Sequence, residues 1–243
     1  MYPSVTSFLI FVSALLLYTV LTDELEFSNS TSDYKILLND KNIDLIFITT
    51  RHNLHASLVA ECLNKNKNVF VEKPLALNID ELNKIIYAYN KKDLSLTVGF
   101  NRRFAPFSKK IMSSIGDTNN PINIVININA GNIPKDHWVH DMKIGGGRII
   151  GEAVHAIDLV SYITGSLPQS ISSTSVINKE HNKANEDQVA LTIIFGDNSF
   201  ARPVVRFINA AFEDAYATCP TAEYVPFTDA IFIIFVCFED FFN

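Results

Sequence analysis

The sequence predicts an α/β fold: a partial Rossmann-like parallel sheet, then an α+β region with a mixed or antiparallel sheet. Three observations support this. Between residues 33 and 100, short β-rich apolar runs alternate with segments of helical period. Strand–helix–strand–helix–strand order implies right-handed crossovers and a parallel sheet. Beyond residue 104 the alternation stops, and strands cluster around one long helix, as in a sheet with one covered face. The composition is that of a folded chain, 48% apolar and 19% charged.

Residues 1–22 contain no charged side chain, and FLIFVSALLLYTVL (8–21) is strongly apolar. A helical span of a bilayer needs about 20 apolar residues, so the length is borderline. No basic residue precedes the run and no small-residue cleavage site follows it, unlike a secretory signal. The segment is read as a buried helix or as sequence from outside the rest of the chain; a membrane anchor is the alternative.

DYKILLND (33–40) is a short amphipathic helix and IDLIFITT (43–50) a strand covered on both faces. NLHASLVAECLNKN (53–66) places Leu54, Leu58, Cys62 and Leu63 at helical spacing. NVFVEKP (68–74) is a strand ending in charge. NIDELNKIIYAYNKK (78–92) is a helix that Asn78 or Asp80 can cap, and LSLTVGF (94–100) is the next strand. Residues 104–116 read as helix. PINIVININA (121–130) reads as a strand with one wet face, 131–147 as a polar loop, and RIIGEAVHAIDLVSYITG (148–165) as a helix closed by Gly165. ISSTSVIN (171–178) and DQVALTIIFGDNSF (187–200) are further strands. Residues 201–243 show scattered prolines and no clear period before AIFIIFVCF (230–238).

A net charge of −6 excludes a nucleic-acid binder, which needs a basic surface. Three widely spaced cysteines give neither a disulfide framework nor a zinc spacing, so a reducing, cytoplasmic location is expected; membrane association through residues 1–22 is the alternative. His137, His140 and Asp141 are close in sequence, but loop spacing alone defines no metal site, and none is assigned. No P-loop, nucleophile elbow or catalytic-cysteine signature occurs.

Ligands of open parallel sheets bind at the carboxyl ends of the strands. Here three consecutive strand ends carry polar residues: Thr49-Thr50-Arg51-His52-Asn53, Glu72-Lys73-Pro74 and Asn101-Arg102-Arg103. Three together point to one crevice.

The block IDLIFITTRHNLHASLVAECLNKNKNVFVEKPLALNIDEL resembles the cofactor-pocket half of the Gfo/Idh/MocA (glucose–fructose oxidoreductase/inositol dehydrogenase) family. VGFNRRFAPF (98–107) and PKDHWVHDMKIGGGRIIGEAVHAIDLVSYITGSLP (134–168) resemble later family blocks in the expected order. The resemblance covers roughly 25–200 and implies a chain cut short at its N-terminus. Four parts follow: 1–22 apolar, 23–108 partial dinucleotide-binding domain, 109–200 substrate and dimerisation domain, and 201–243 atypical tail.

By resemblance the activity is NAD(P)-dependent oxidation of a CH–OH group in a sugar or sugar derivative, and the second region's sheet forms a homo-oligomer. A lysine can stabilise a developing alkoxide, and a histidine can accept the hydroxyl proton. Lys73 and His155 are the candidates, with Asp158 either orienting His155 or capping a neighbouring loop. Thr49, Thr50, Asn53, His55, Glu72, Lys73 and Pro74 are the cofactor-side candidates. Asn101, Arg102, Arg103, Trp138 and Glu152 are the substrate-side candidates. The two arginines either bind a carboxylate or phosphate or are surface residues; Trp138 either stacks on a ligand or anchors its loop.

Two departures stand out. Family members often carry an acid four residues before the histidine, where this chain has Gly151; Glu152 is acidic but about 100° further round a helix. No glycine precedes Gly99, so residues 1–98 hold no G-x-G-x-x-G turn for a pyrophosphate. Impaired NAD or NADP binding is therefore expected, together with an exposed flank on IDLIFITT. Alternatives are a non-catalytic sugar-binding or scaffold relative, or a membrane-tethered protein.

Overall fold

A computed structural model describes residues 8–11, 31, 33–90, 93–116, 120–129, 133–134, 136–178, 183–206, 224–227 and 230–237. The chain forms two compact units. One comprises Met1–Gly99 with Asp141–Gly146, the other Phe100–His140 with Gly147–Asn243.

The first unit holds a parallel sheet in the order β1 (Phe8–Phe11), β2 (Leu45–Ile48), β3 (Asn68–Val71), β4 (Leu96–Val98). Its helices are α1 (Tyr34–Asn39), α2 (His52–Asn64) and α3 (Ile79–Tyr89). Alternate residues of β2 and β3 (Ile46, Ile48, Val69, Val71) are buried, with Val59, Leu63 and Ile85 from the helices among the same cluster. Each such side chain contributes about 1.5–3 kcal/mol relative to exposure. The flank of β2 expected to lie exposed is paired with Phe8–Phe11. That stretch is a strand rather than part of a helix; the remainder of 1–22 lies outside the described residues. Among the described residues, no helix is long and apolar enough to cross a membrane.

The helix ends follow their capping chemistry. Asn78 Oδ1 accepts from Glu81 N (2.9 Å), and Glu81 Oε2 accepts from Leu77 N (2.8 Å), a reciprocal closure of the first turn of α3. Asp80 and Glu81 also place negative charge at the positive end of the helix dipole. Asp33 caps α1 through Lys35 N (3.0 Å).

The second unit contains α4 (Pro106–Ile115), β5 (Asn123–Asn129), a π turn (Ile149–Ala153) running into α5 (Val154–Thr164), and strands β6 (Pro168–Asn178), β7 (Lys183–Phe195), β8 (Phe200–Arg206), β9 (Tyr224–Phe227) and β10 (Ala230–Cys237). Its mixed sheet runs β6-β7-β8-β5-β10-β9, with β5 and β8 parallel and the other pairs antiparallel. Ile122, Ile124, Ile126 and Ile128 alternate inward and share a core with Ala156, Leu159, Val160 and Ile163 of α5. Gly165, left-handed at φ 63°, closes α5 as the sequence implies.

Residues 187–200, read as one strand, are instead the end of β7, a turn and the start of β8. Asn198 takes a left-handed φ of 69°, and Asp197 accepts from Ser199 N (3.0 Å) and Ser199 Oγ (2.7 Å), which fixes the reversal. The sheet continues through β8 to Arg206, and the apolar block near the C-terminus supplies β10 beside β5.

Two outcomes are expected. The buried Lys67 ammonium donates to Asp40 O (2.5 Å) and Ile43 O (2.7 Å), tying the end of α1 to the start of β3. Lys67→Met removes the donor from Ile43 O and leaves Asp40 O only the long bond from Ile43 N (3.4 Å); it should cost about 2 kcal/mol, read as a lower urea midpoint with unchanged slope. Cys62 is 2% exposed, and burial, reinforced by Glu61, pushes its thiol up to about 12. It should stay unalkylated by iodoacetamide near pH ~8.5, where a free cysteine is about half thiolate; peptide mass spectrometry with and without denaturant measures this.

Candidate functional site

In the first unit the ladder continues past the strand ends. Glu72 N donates to Ile48 O (2.9 Å) and Gly99 N to Val71 O (2.8 Å). The turns after β2 and β3 therefore leave the sheet at one edge, beside Gly99 at the end of β4. The Glu72 carboxylate folds across Gly99: a Cβ built there would lie 3.1 Å from it. The same carboxylate accepts from Lys73 N (3.3 Å). A side chain at position 99 would push that carboxylate aside by a few tenths of an ångström. Lys73 is half-buried and Pro74 buried, joined by a cis peptide bond.

His55 is fully buried, with Nδ1 2.7 Å from Pro74 O and Nε2 2.9 Å from Thr50 O. Its ring thus spans the turns after β2 and β3. Thr49 and the Asn53 side chain are exposed; Thr50 is half-buried and donates through Oγ1 to Arg51 O (3.3 Å). The N-cap Arg51 provides no side-chain cap to α2. Segment 141–146 supplies the acceptors instead: Asn53 N donates to Ile144 O (3.1 Å) and His52 Nδ1 to Gly145 O (2.8 Å). The helix N-terminus at the strand ends is thus partly satisfied by protein carbonyls.

In the second unit, Asn101, Arg102 and Arg103 lie on a short 3₁₀ turn, Asn101–Phe104. Asn101 is exposed. Burial pushes the Arg102 guanidinium down to about 10, against the opposing pull of Glu152; it remains charged at neutral pH. Arg103 makes a two-pronged ion pair with the buried Asp158, Nε to Oδ2 at 2.7 Å and Nη2 to Oδ1, and its guanidinium lies 5.5 Å from the Tyr162 ring centroid. That hydrogen bond raises the Arg103 pKa above its ordinary value. His155 is buried on α5, edge-on to Phe100 at 6.3 Å. Glu152 is half-buried in the π turn. Trp138 is half-buried and stacks beside His137 at 5.4 Å. Asp141 accepts from Lys143 N (2.8 Å), and no group of three metal-ligating side chains occurs among the described residues.

The structure thus gathers Thr50, His55, Glu72, Lys73 and Pro74 in one unit, and Arg102, Arg103, Glu152, His155 and Asp158 in the other. Sequence reasoning missed His52 and Gly99. The signals were present: a histidine at the first position of a helix lacking a capping side chain, and the chain's first glycine directly after a strand. Arg103→Leu strands the Asp158 carboxylate. It should destabilise the protein by about 2 kcal/mol, discounted because Arg103 is partly exposed. The double variant Arg103→Leu/Asp158→Leu should regain most of that in the same urea measurement.

The sequence model described as "Oxidoreductase family, NAD-binding Rossmann fold" matches residues 19–100. The uncharacterized oxidoreductase YrbE of Bacillus subtilis is 31% identical over 176 residues, covering 70% of this chain and 51% of the relative. Myo-inositol 2-dehydrogenase of Thermotoga maritima is 28% identical over 160 residues, covering 65% and 48%. The chain therefore spans about half the length of these curated relatives. A levoglucosan dehydrogenase solved with NADH and levoglucosan shares the fold, with a TM-score of 0.72 at 22% identity over 85% of this chain and 59% of that one. With its parallel sheet, its Glu72-Lys73-Pro74 turn and these relatives, the chain belongs to the Gfo/Idh/MocA family of oxidoreductases.

Proposed function

We propose that the chain serves NAD(P)-dependent oxidation of a secondary hydroxyl in a sugar or sugar derivative. The observation that carries this reading is the Glu72-Lys73-Pro74 turn at the carboxyl end of β3, seated against Gly99. Carboxyl ends of parallel strands are where such sheets bind nucleotides. The side-chain-free seat at Gly99 and the adjoining carboxylate suit the nicotinamide side of the cofactor, held by Thr49, Thr50, Asn53, Glu72, Lys73 and Pro74. When bound, the nicotinamide supplies the hydride acceptor.

The chain's own residues handle the proton and the charge. Lys73 stabilises negative charge as it develops on the carbinol oxygen. His155 takes the hydroxyl proton; its Phe100 neighbour restricts the ring, and imidazole chemistry suits transfer near neutral pH. Asp158, with both oxygens on Arg103, is a positioning residue that fixes the 3₁₀ turn to α5. Arg102, charged and close enough to Glu152 to feel its field, is the group suited to an anionic or hydroxyl-rich substrate. Asn101 and Trp138 complete the substrate side.

A second reading is a sugar-binding relative without turnover, favoured by the α2 N-terminus being taken up by the carbonyls of Ile144 and Gly145 rather than left open to a ligand. Titration of the purified full chain with NADH and NADPH by fluorescence separates the two. Binding followed by dehydrogenation within a panel that starts with myo-inositol and levoglucosan supports the enzyme; sugar binding without nicotinamide binding supports the second reading. Where turnover is seen, Lys73→Met should lower kcat by well over tenfold while changing the NADH Kd only slightly, as expected for a group acting on the transition state. Unchanged turnover removes Lys73 from the mechanism.

A further inference from the structure

His55 is the most completely buried titratable side chain near the strand ends, with no exposed surface. Both of its ring nitrogens face main-chain carbonyls, Pro74 O at 2.7 Å and Thr50 O at 2.9 Å. A carbonyl oxygen only accepts, and a neutral imidazole carries one N–H. Both contacts are hydrogen bonds together only when the ring carries two N–H groups. On the neutral ring, one nitrogen lone pair faces a carbonyl oxygen and repels it.

The two carbonyls belong to different turns. Thr50 follows β2, and Pro74 closes the turn that presents Lys73. The ring is therefore a cross-brace between two of the three polar strand ends. The Lys73 main chain is held on both sides: its N–H by Glu72 Oε2, and the following carbonyl by His55. Titratable and charged groups lie on each of the segments that meet at the ring. They are Arg51 before α2, His52 on α2 with its ring centroid 5.8 Å away, and Glu72 and Lys73 on the turn after β3. Asp141 begins the segment whose Gly145 carbonyl takes His52.

We propose that His55 is a proton-linked positioning residue for Lys73: the doubly protonated ring ties both turns together, and loss of one proton releases one of them. This rests on the reading of Lys73 as a cofactor-side residue only for its functional consequence. The brace itself is read from the geometry.

Hydrogen exchange followed by mass spectrometry on the full chain tests the brace without any cofactor. Peptides spanning 49–56 and 70–77 should lose protection as pH rises, relative to 79–89 of α3 in the same molecule. His55→Phe should raise exchange in those two peptides about tenfold or more at low pH and abolish the pH effect. His55→Gln, which keeps a donor, should do so to a smaller extent. If wild-type protection at 49–56 and 70–77 follows α3 at every pH, the proposal is overturned, whether or not the Phe variant folds. A parallel NADH titration should show weaker binding at high pH and in both variants. Wild-type protein that binds no NADH defeats the cofactor reading of Lys73, while the exchange result still judges the brace.

Discussion

Register in the parallel sheet of the first unit is the constraint on which the candidate site depends. The buried faces of β2 and β3 admit one pairing, because a one-residue slip would turn Ile46, Ile48, Val69 and Val71 outward. Fixed register sets where each strand stops. The ladder then runs one bond further on each side, through Glu72 N to Ile48 O and Gly99 N to Val71 O. As a result, the polar residues after β2 and β3 leave the sheet at one edge, and the Glu72 carboxylate lies over Gly99, which has no side chain to meet it. The chemistry available at that edge is a consequence of core packing several residues away.

The periodic elements were legible in the sequence because their cause is local. The helix at 79–89 has its cap written in Asn78, one of the two residues the sequence offers for it, and β5 has its buried face written in the isoleucines at 124, 126 and 128. Gly165 marks the end of α5 for the same reason. What failed was the stretch 187–200. Its apolar alternation runs into Gly196-Asp197-Asn198-Ser199, and the turn is stabilised by side chain–main chain bonds that compete with strand pairing. The strand Phe8–Phe11 was also hidden, since an apolar run does not reveal whether a neighbouring strand edge will take it up.

Partners were less legible than elements. Asp158 lies three residues from His155, which invites a pairing along one helix, yet both its oxygens go to Arg103, 55 positions earlier in the chain. A buried carboxylate requires a cation with matching geometry, and a two-pronged guanidinium meets that need better than an imidazole on the same face. His55 shows the same limit. By resemblance it falls among the cofactor-side residues, and nothing in the sequence tells that two main-chain carbonyls wait for its ring.

The displaced acid in the second unit follows from similar reasoning. The position four before His155 is Gly151, and Glu152 stands next to it inside the π turn Ile149–Ala153. A π turn winds more slowly than an α-helix, so the step from Gly151 to Glu152 is smaller than the 100° that separates neighbours in α-helical geometry. Glu152 is also close enough to the buried Arg102 to oppose the effect of its desolvation. The desolvation of Arg102 is thus the larger effect and the pull of Glu152 the smaller, opposing one. The pull of Glu152 on Arg102 is a charge-to-charge effect, and such effects depend less on the exact position of an acid along the chain than a directional bond does.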